Sequence, residues 1–276
     1  MMKAIAPYAT AMLLLLFVSC SKTFEDRGDC PCVLTLDCSG LPASVRTLDV
    51  WILDGSSRSS YMKKVYITDF SSPVSIDIDR LQTLDICVWG NMKHLEFHGS
   101  GTDTYFLKRK SVDADSLYRE IEHADSRCDE LHHKLSLTKE FSRVTLLFSP
   151  SMSFEKEMEL IYHQPVSGYY IQGGSVEGDA STSLLLRRLP DGQNAASFNM
   201  LRNDLKNTSE LELILPFEKQ GNARFSIPIW KYLQDAGFDM EKRNLDDITF
   251  SLDYSFNVTG ITINDWTDCP PYRIEF

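Results

Sequence analysis

The residue with the most definite chemistry is Cys20. It directly follows Leu16-Phe17-Val18-Ser19. A small residue before a cysteine, with apolar residues before that, has the layout of a lipobox. Cleavage before Cys20 leaves its thiol to carry a diacylglycerol. Phe17 stands where Leu is usual. The preceding stretch fits an export signal: Lys3 supplies positive charge, Ala11 to Val18 is a short apolar run, and Ser19 is the small residue at the cut. The run is too short for a spanning helix, which takes about 20 apolar residues. Two or three acyl chains, at about 0.8 kcal/mol per buried CH₂, would hold the chain on a bilayer without any helix in it.

The other thiols are Cys30, Cys32, Cys38, Cys87, Cys128 and Cys269. An even number in an exported chain points to disulfides, and spacing alone does not choose the pairing. Cys30-Pro31-Cys32 lacks the second pair or histidines that a zinc knuckle needs, so no metal is expected.

Other reactive constellations fail on spacing. Gly173-Gly174-Ser175-Val176-Glu177-Gly178 has Glu177 where a nucleophile elbow needs glycine. In His94-Leu95-Glu96-Phe97-His98 the glutamate is not beside the first histidine, as metalloprotease chemistry requires. Asp113-Ala114-Asp115 lacks the glycine and terminal glutamate of a calcium loop. No phosphate loop or dinucleotide fingerprint is present. Neither an enzyme nor a cofactor is expected, beyond the lipid on Cys20. The formal net charge of −11 and the lack of a basic cluster exclude a nucleic-acid surface.

The elements behind these residues read mostly as strands. Leu34, Leu36 and Cys38 share one face of an alternating segment. Leu48, Val50 and Ile52 follow with Trp51 opposite, then Val74, Ile76 and Ile78, then Leu84, Ile86 and Val88. Val112 to Leu131 looks helical, with Leu117, Ile121 and Ala124 as a weak apolar stripe. Strands resume from Leu131. In the second half Met158, Leu160 and Tyr162 alternate, Gly173 to Ser183 reads as a loop, and Trp230 to Ala236 as a helical turn stopped by Gly237. Ile248 to Val258 reads as one long strand turned by Thr259-Gly260. Tyr272, Ile274 and Phe276 alternate to the last residue, a segment that could pair with a neighbouring chain. The expected divisions are a signal at 1–19, a linker at 20–29, and β-sandwich domains at 30–138 and 139–276.

Three segments carry a resemblance: Cys20 shortly before Asp29-Cys30-Pro31-Cys32-Val33-Leu34-Thr35-Leu36, the strand Asp85-Ile86-Cys87-Val88-Trp89-Gly90, and the closing Ile261-Thr262-Ile263-Asn264-Asp265-Trp266. In that order the chain resembles the FimB-type fimbrial anchoring subunits, within the fimbrillin superfamily of Bacteroides-type (type V) fimbriae. The resemblance implies an all-β fold of two transthyretin-like antiparallel sandwiches, here with a helical insert in the first. It implies a base subunit held in the outer membrane by lipid, which binds a fimbrillin-type shaft subunit and ends its assembly. Shaft relatives lose a first strand to an Arg-specific protease, for which Arg27, Arg46 and Arg143 are candidate sites here. An anchor would keep that strand, and a disulfide from Cys30 or Cys32 would tie it down. The competing expectations are a processed shaft or tip subunit, and a surface glycan-binding lipoprotein using Trp51 and Trp89 as a platform.

Overall fold

The computed structural model describes residues 30–55, 62–100, 103–108, 112–149, 158–203, 209–217, 221–253, 255–264 and 272–275. In the first half the strands are β1 (Cys32–Asp37), β2 (Leu48–Asp54), β3 (Met62–Ile67), β4 (Val74–Ile78), β5 (Leu84–Gly90), β6 (Leu95–His98), β7 (Tyr105–Lys108), β8 (Tyr118–Ala124), β9 (Glu130–Lys134) and β10 (Thr138–Lys139). The second half contributes β11 (Phe141–Phe148), β12 (Glu159–Tyr170), β13 (Ser175–Leu184), β14 (Arg187–Arg188), β15 (Asn194–Leu201), β16 (Glu210–Phe217) and β17 (Gly221–Ile227). A short helix α1 (Ile229–Asp235) precedes β18 (Asp247–Leu252), β19 (Val258–Asn264) and β20 (Tyr272–Glu275).

Four sheets result, ordered β4-β1-β9, β10-β8-β5-β2-β3, β14-β15-β11-β18-β19-β20 and β17-β16-β12-β7-β6, with β13 also on β12. The all-β expectation is met as a mostly-β fold with one short helix among the described residues. Alternation places Cys32, Leu34 and Leu36 wholly inside one core, with Ile76 and Ile78 from β4 and Val50, Ile52, Ile86 and Val88 from the five-stranded sheet. β2 and β5 are buried on both faces. Their second face carries Trp51, Cys87 and Trp89. It is covered by Phe97, Phe106 and Tyr169, with Trp89 4.8 Å from Phe106 and 5.4 Å from Tyr169 by ring centroid. The Trp89 indole N–H donates to the Ile171 carbonyl at 2.8 Å. Both tryptophans are at most 2% exposed, so neither forms a glycan platform.

A second core gathers Val144, Leu146, Phe148, Tyr162, Phe198, Phe250 and Ile261. One sheet runs across the chain's midpoint. β7 pairs with β12 at Leu107↔Gly168, Phe106↔Tyr169 and Tyr105↔Tyr170, so strands from both halves share hydrogen bonds. At Gly168 that approach leaves no room for a side chain, because an added Cβ would lie 1.8 Å from the Phe106 carbonyl oxygen.

Three local expectations are corrected. The helix expected over Val112 to Leu131 is absent. Its centre is β8, which runs antiparallel to β5 from Gly90↔Tyr118 to Leu84↔Ala124. The stripe of Leu117, Ile121 and Ala124 was too thin to bury a helix, whereas β5 offered a full hydrogen-bonding edge. The loop expected over Gly173 to Ser183 is a turn at Gly173 and Gly174, at φ +91° and +83°, followed by β13. The long strand expected over Ile248 to Val258 is a hairpin. Asp253 Oδ1 accepts from the Ser255 and Asn257 amides at 2.8 and 2.9 Å, and Phe256 turns the chain at φ +64°. That local carboxylate turn ends β18 despite the apolar alternation. The helical turn before Gly237 is present as α1, and Gly237 has φ +68°. Among the described residues no helix is long and apolar enough to cross a membrane.

Cys87 gives the first core an alkaline limit. Burial, with the Asp85 carboxylate nearby, pushes its thiol up from 9.0 to about 12. The unfolded thiol ionises first, so this contribution is complete below pH 9.0 and lost as pH rises towards 12. The midpoint of urea unfolding is expected to fall across that range. A Cys87→Val variant should show a flatter alkaline limb; an unchanged slope would refute the role of this thiol.

Candidate functional site: the first strand and the seam between the cores

β1 is the middle strand of its sheet. It pairs antiparallel with β4, from Cys32↔Ile78 to Leu36↔Val74, and parallel with β9, from Val33↔Glu130 to Asp37↔Lys134. Both ends are fastened. At the start, the Val33 amide donates to the Asp129 carbonyl at 2.9 Å. Arg80 donates through Nε to the Cys30 carbonyl at 2.7 Å and through its terminal nitrogen to the Asp129 carboxylate. At the finish, the Leu135 amide donates to the Asp37 carbonyl at 3.0 Å. The Asp37 carboxylate accepts from the Ser39 amide at 2.9 Å, which holds it below the usual carboxylate range.

Of the cysteines expected to pair, Cys32 and Cys128 are brought together, with Sγ atoms 3.9 Å apart. Cys30 is exposed two residues earlier. Cys38 and Cys87 are buried in the first core. These five are free thiols in this structure. Burial raises the pKa of Cys38. Cys20, the lipobox residues 16–19, Cys269 and Phe276 lie outside the described residues. Tyr272 and Ile274 stand in β20, paired through the backbone with Ile263 and Ile261. β20 is the last strand in its sheet, and among the described residues no strand lies on its other side.

The second feature is a polar seam between the cores that the sequence reading missed. Glu140 is fully buried. Its Oε2 accepts from Arg202 Nε at 2.9 Å, and its Oε1 lies 3.3 Å from an Arg119 terminal nitrogen. Arg202 also donates to the carbonyls of Lys139 and Arg243 at 3.0 Å, of Lys242 at 2.9 Å, and of Met240. Its own carbonyl accepts from the Tyr169 hydroxyl at 3.0 Å. The neighbouring Lys139 is buried too, donating to Asp247 Oδ1 at 2.6 Å and the Leu245 carbonyl at 3.0 Å. Burial lowers its pKa, and Asp247 opposes that shift. The only hint in the sequence was a Lys-Glu pair between two apolar strands. Its partners lie about 60 and 100 residues away in sequence.

A cleft of about 1500 Å³ opens over this seam. Glu140, Gln164, Tyr169, Arg202 and Met240 are part of its lining. His94 is held by the Asp115 carboxylate at 2.9 Å, and His133 lies 3.0 Å from Glu120. Among the described residues no group of three His, Cys, Asp or Glu side chains could hold a metal ion. The seam joins Arg119 of the first half to Glu140 and Arg202 of the second.

No family model matches the chain, and no curated protein matches it. Solved structures do. One, a candidate polysaccharide-binding protein from Bacteroides thetaiotaomicron, matches with a TM-score of 0.64 and 13% identity over 90% of this chain and 99% of its own. The fimbrial anchor protein Mfa2 from Porphyromonas gingivalis matches with a TM-score of 0.61 and 16% identity, over 86% and 98%. A candidate adhesin from Bacteroides thetaiotaomicron matches with a TM-score of 0.58 and 15% identity, over 86% and 97%. At these identities the shared property is the fold. None of the three is described as an enzyme.

Proposed function

We propose that this chain is a lipid-anchored fimbrial base subunit. In this reading the signal at 1–19 is removed and Cys20 carries a diacylglycerol in the bacterial outer membrane. The linker of nine residues, Ser21 to Asp29, spans at most about 30 Å and keeps the body close to the membrane. The body, divided at 138/139, binds a fimbrillin-type shaft subunit and ends its assembly. β20, the last strand of its sheet among the described residues, is our candidate for pairing with that subunit. The likeness to a fimbrial anchor supports this reading.

The observation that carries it is the setting of β1. Cys32, Leu34 and Leu36 have no exposed surface and both strand edges are paired, so removal of β1 would strip the first core of three buried side chains. Arg46 lies between β1 and β2, where a cut would free the first strand. Its amide donates to Asn91 Oδ1 at 2.8 Å, and the preceding Val45 is buried. Arg143 is in the ladder of β11, paired with Asn199. Both arginine side chains are exposed, but the backbone of each is held, Arg46 by its hydrogen bond to Asn91 and Arg143 by its strand ladder, which opposes the local opening that a protease needs.

Two measurements test the proposal. Cys20→Ala should move the protein and its fimbriae from the outer-membrane fraction into the medium; fimbriae that stay cell-bound and normal in length would refute the anchor. Brief treatment of the folded protein with an Arg-specific protease should leave the bond after Arg46 intact. Prompt cleavage there, with release of the segment that ends at Arg46 and carries β1, would favour the processed shaft or tip subunit.

A further inference from the structure

We infer that Cys32 and Cys128 form a covalent cross-link site that an extracytoplasmic disulfide oxidant closes, stapling β1 to the start of β9. The inference rests on the exported location proposed above. The geometry selects this pair. Val33 and Glu130 are parallel partners, so Cys32 and Cys128 sit where β1 and β9 begin, and their sulfurs are 3.9 Å apart. Rotation about the side-chain bonds has to bring them to about 2.05 Å. Among the described residues no other pair of sulfurs comes within hydrogen-bonding reach. The local scaffold holds the two strand starts in place. Arg80 ties the backbone of Cys30 to the carboxylate of Asp129, and the Val33 amide is bonded to the Asp129 carbonyl.

The two thiols differ in access, which sets the order of steps. Cys32 has no exposed surface, and burial together with its contact to Cys128 pushes its thiol up to about 11. Cys128 is half-buried at the surface end of the pair. Its thiolate attacks the oxidant's disulfide first, forming a mixed disulfide and releasing one reduced thiol. The Cys32 thiolate then attacks Cys128 Sγ and expels the second. Two S–H bonds break, one S–S bond forms in the protein, and two electrons and two protons reduce the oxidant's disulfide to two thiols.

The consequence is mechanical. Force arriving from the linker at Cys30 otherwise reaches the body through hydrogen bonds alone, those of Arg80 and of the β1 ladder. With the bond closed, the force also enters β9 through Cys128. The bond joins residues 96 positions apart, so it also restricts the unfolded chain strongly.

The test uses the full chain, purified under reducing conditions and then exposed to oxidised glutathione. Two free thiols should disappear, and non-reducing peptide mapping should link the peptide beginning at Cys128 to the one that contains Cys30, Cys32 and Cys38. Cys30→Ser should keep the link, whereas Cys32→Ser should lose it. In the unsubstituted protein, dithiothreitol should lower the urea midpoint of the oxidised form; in Cys128→Ser it should not. A link that survives Cys32→Ser but not Cys30→Ser, or no link at all, overturns the inference. Because the reaction is run on purified protein, it is independent of location. A chain that forms the link but never reaches the membrane would overturn the anchor and leave the cross-link standing.

Discussion

Leu34→Ala is expected to destabilise the protein by about 3 kcal/mol, and the pair Leu34→Ala/Leu36→Ala by about 6 kcal/mol, enough to unfold many domains of ordinary stability. Both side chains are fully buried among β4, β9 and the five-stranded sheet. Each truncation loses apolar burial and leaves a cavity in a sheet that cannot collapse, because β1 is its middle strand. Leu185→Ala is the control: that side chain is 78% exposed, and its loss should change stability by less than about 0.5 kcal/mol. Urea unfolding followed by tryptophan fluorescence reads the effect directly, since Trp51 and Trp89 are buried in the same core. If Leu34→Ala cost no more than the control, β1 would lie outside the cooperative core and could be removed. The proposal that this strand is kept would then fail.

Arg202→Ala should cost about 3–5 kcal/mol, by a different mechanism. The guanidinium occupies five acceptors: the buried Glu140 carboxylate and the carbonyls of Lys139, Met240, Lys242 and Arg243. Its loss leaves Glu140 with Arg119 alone, at 3.3 Å. Arg202→Lys should recover only part of the loss, because an ammonium has three donors and no planar fork. Glu140→Gln added to Arg202→Ala removes the stranded charge and should restore part of the stability. A double-mutant cycle should therefore show coupling well above the few tenths of a kcal/mol found for independent sites. Strictly additive effects would mean that the seam is not an electrostatic unit.

The two predictions concern parts of the molecule that differ in legibility. β1 was readable because its information is local. Leu34 and Leu36 alternate with Val33 and Thr35, and a period of two has one structural solution when one face must be buried. The same logic placed β2, β4 and β5. It failed where a local rule met a competing one. Asp253 ends β18 through hydrogen bonds to its own backbone neighbourhood, which apolar periodicity does not register. Over Tyr118 to Ala124 a thin helical stripe lost to the free edge of β5. That edge is a property of the assembled sheet, not of residues 118–124.

What the sequence determined by itself was the class of fold, the interior face of most strands and the short helix before Gly237. All of these depend on neighbours within a few residues. The tertiary structure decided the rest: that β1 sits between β4 and β9, that Cys32 faces Cys128, that both tryptophans are covered, and that Glu140 meets Arg119 and Arg202. Those contacts join residues tens to more than a hundred positions apart. Strand periodicity fixes which way a side chain points, but the order in which strands pair is set by how whole sheets bury one another. No local pattern encodes that order.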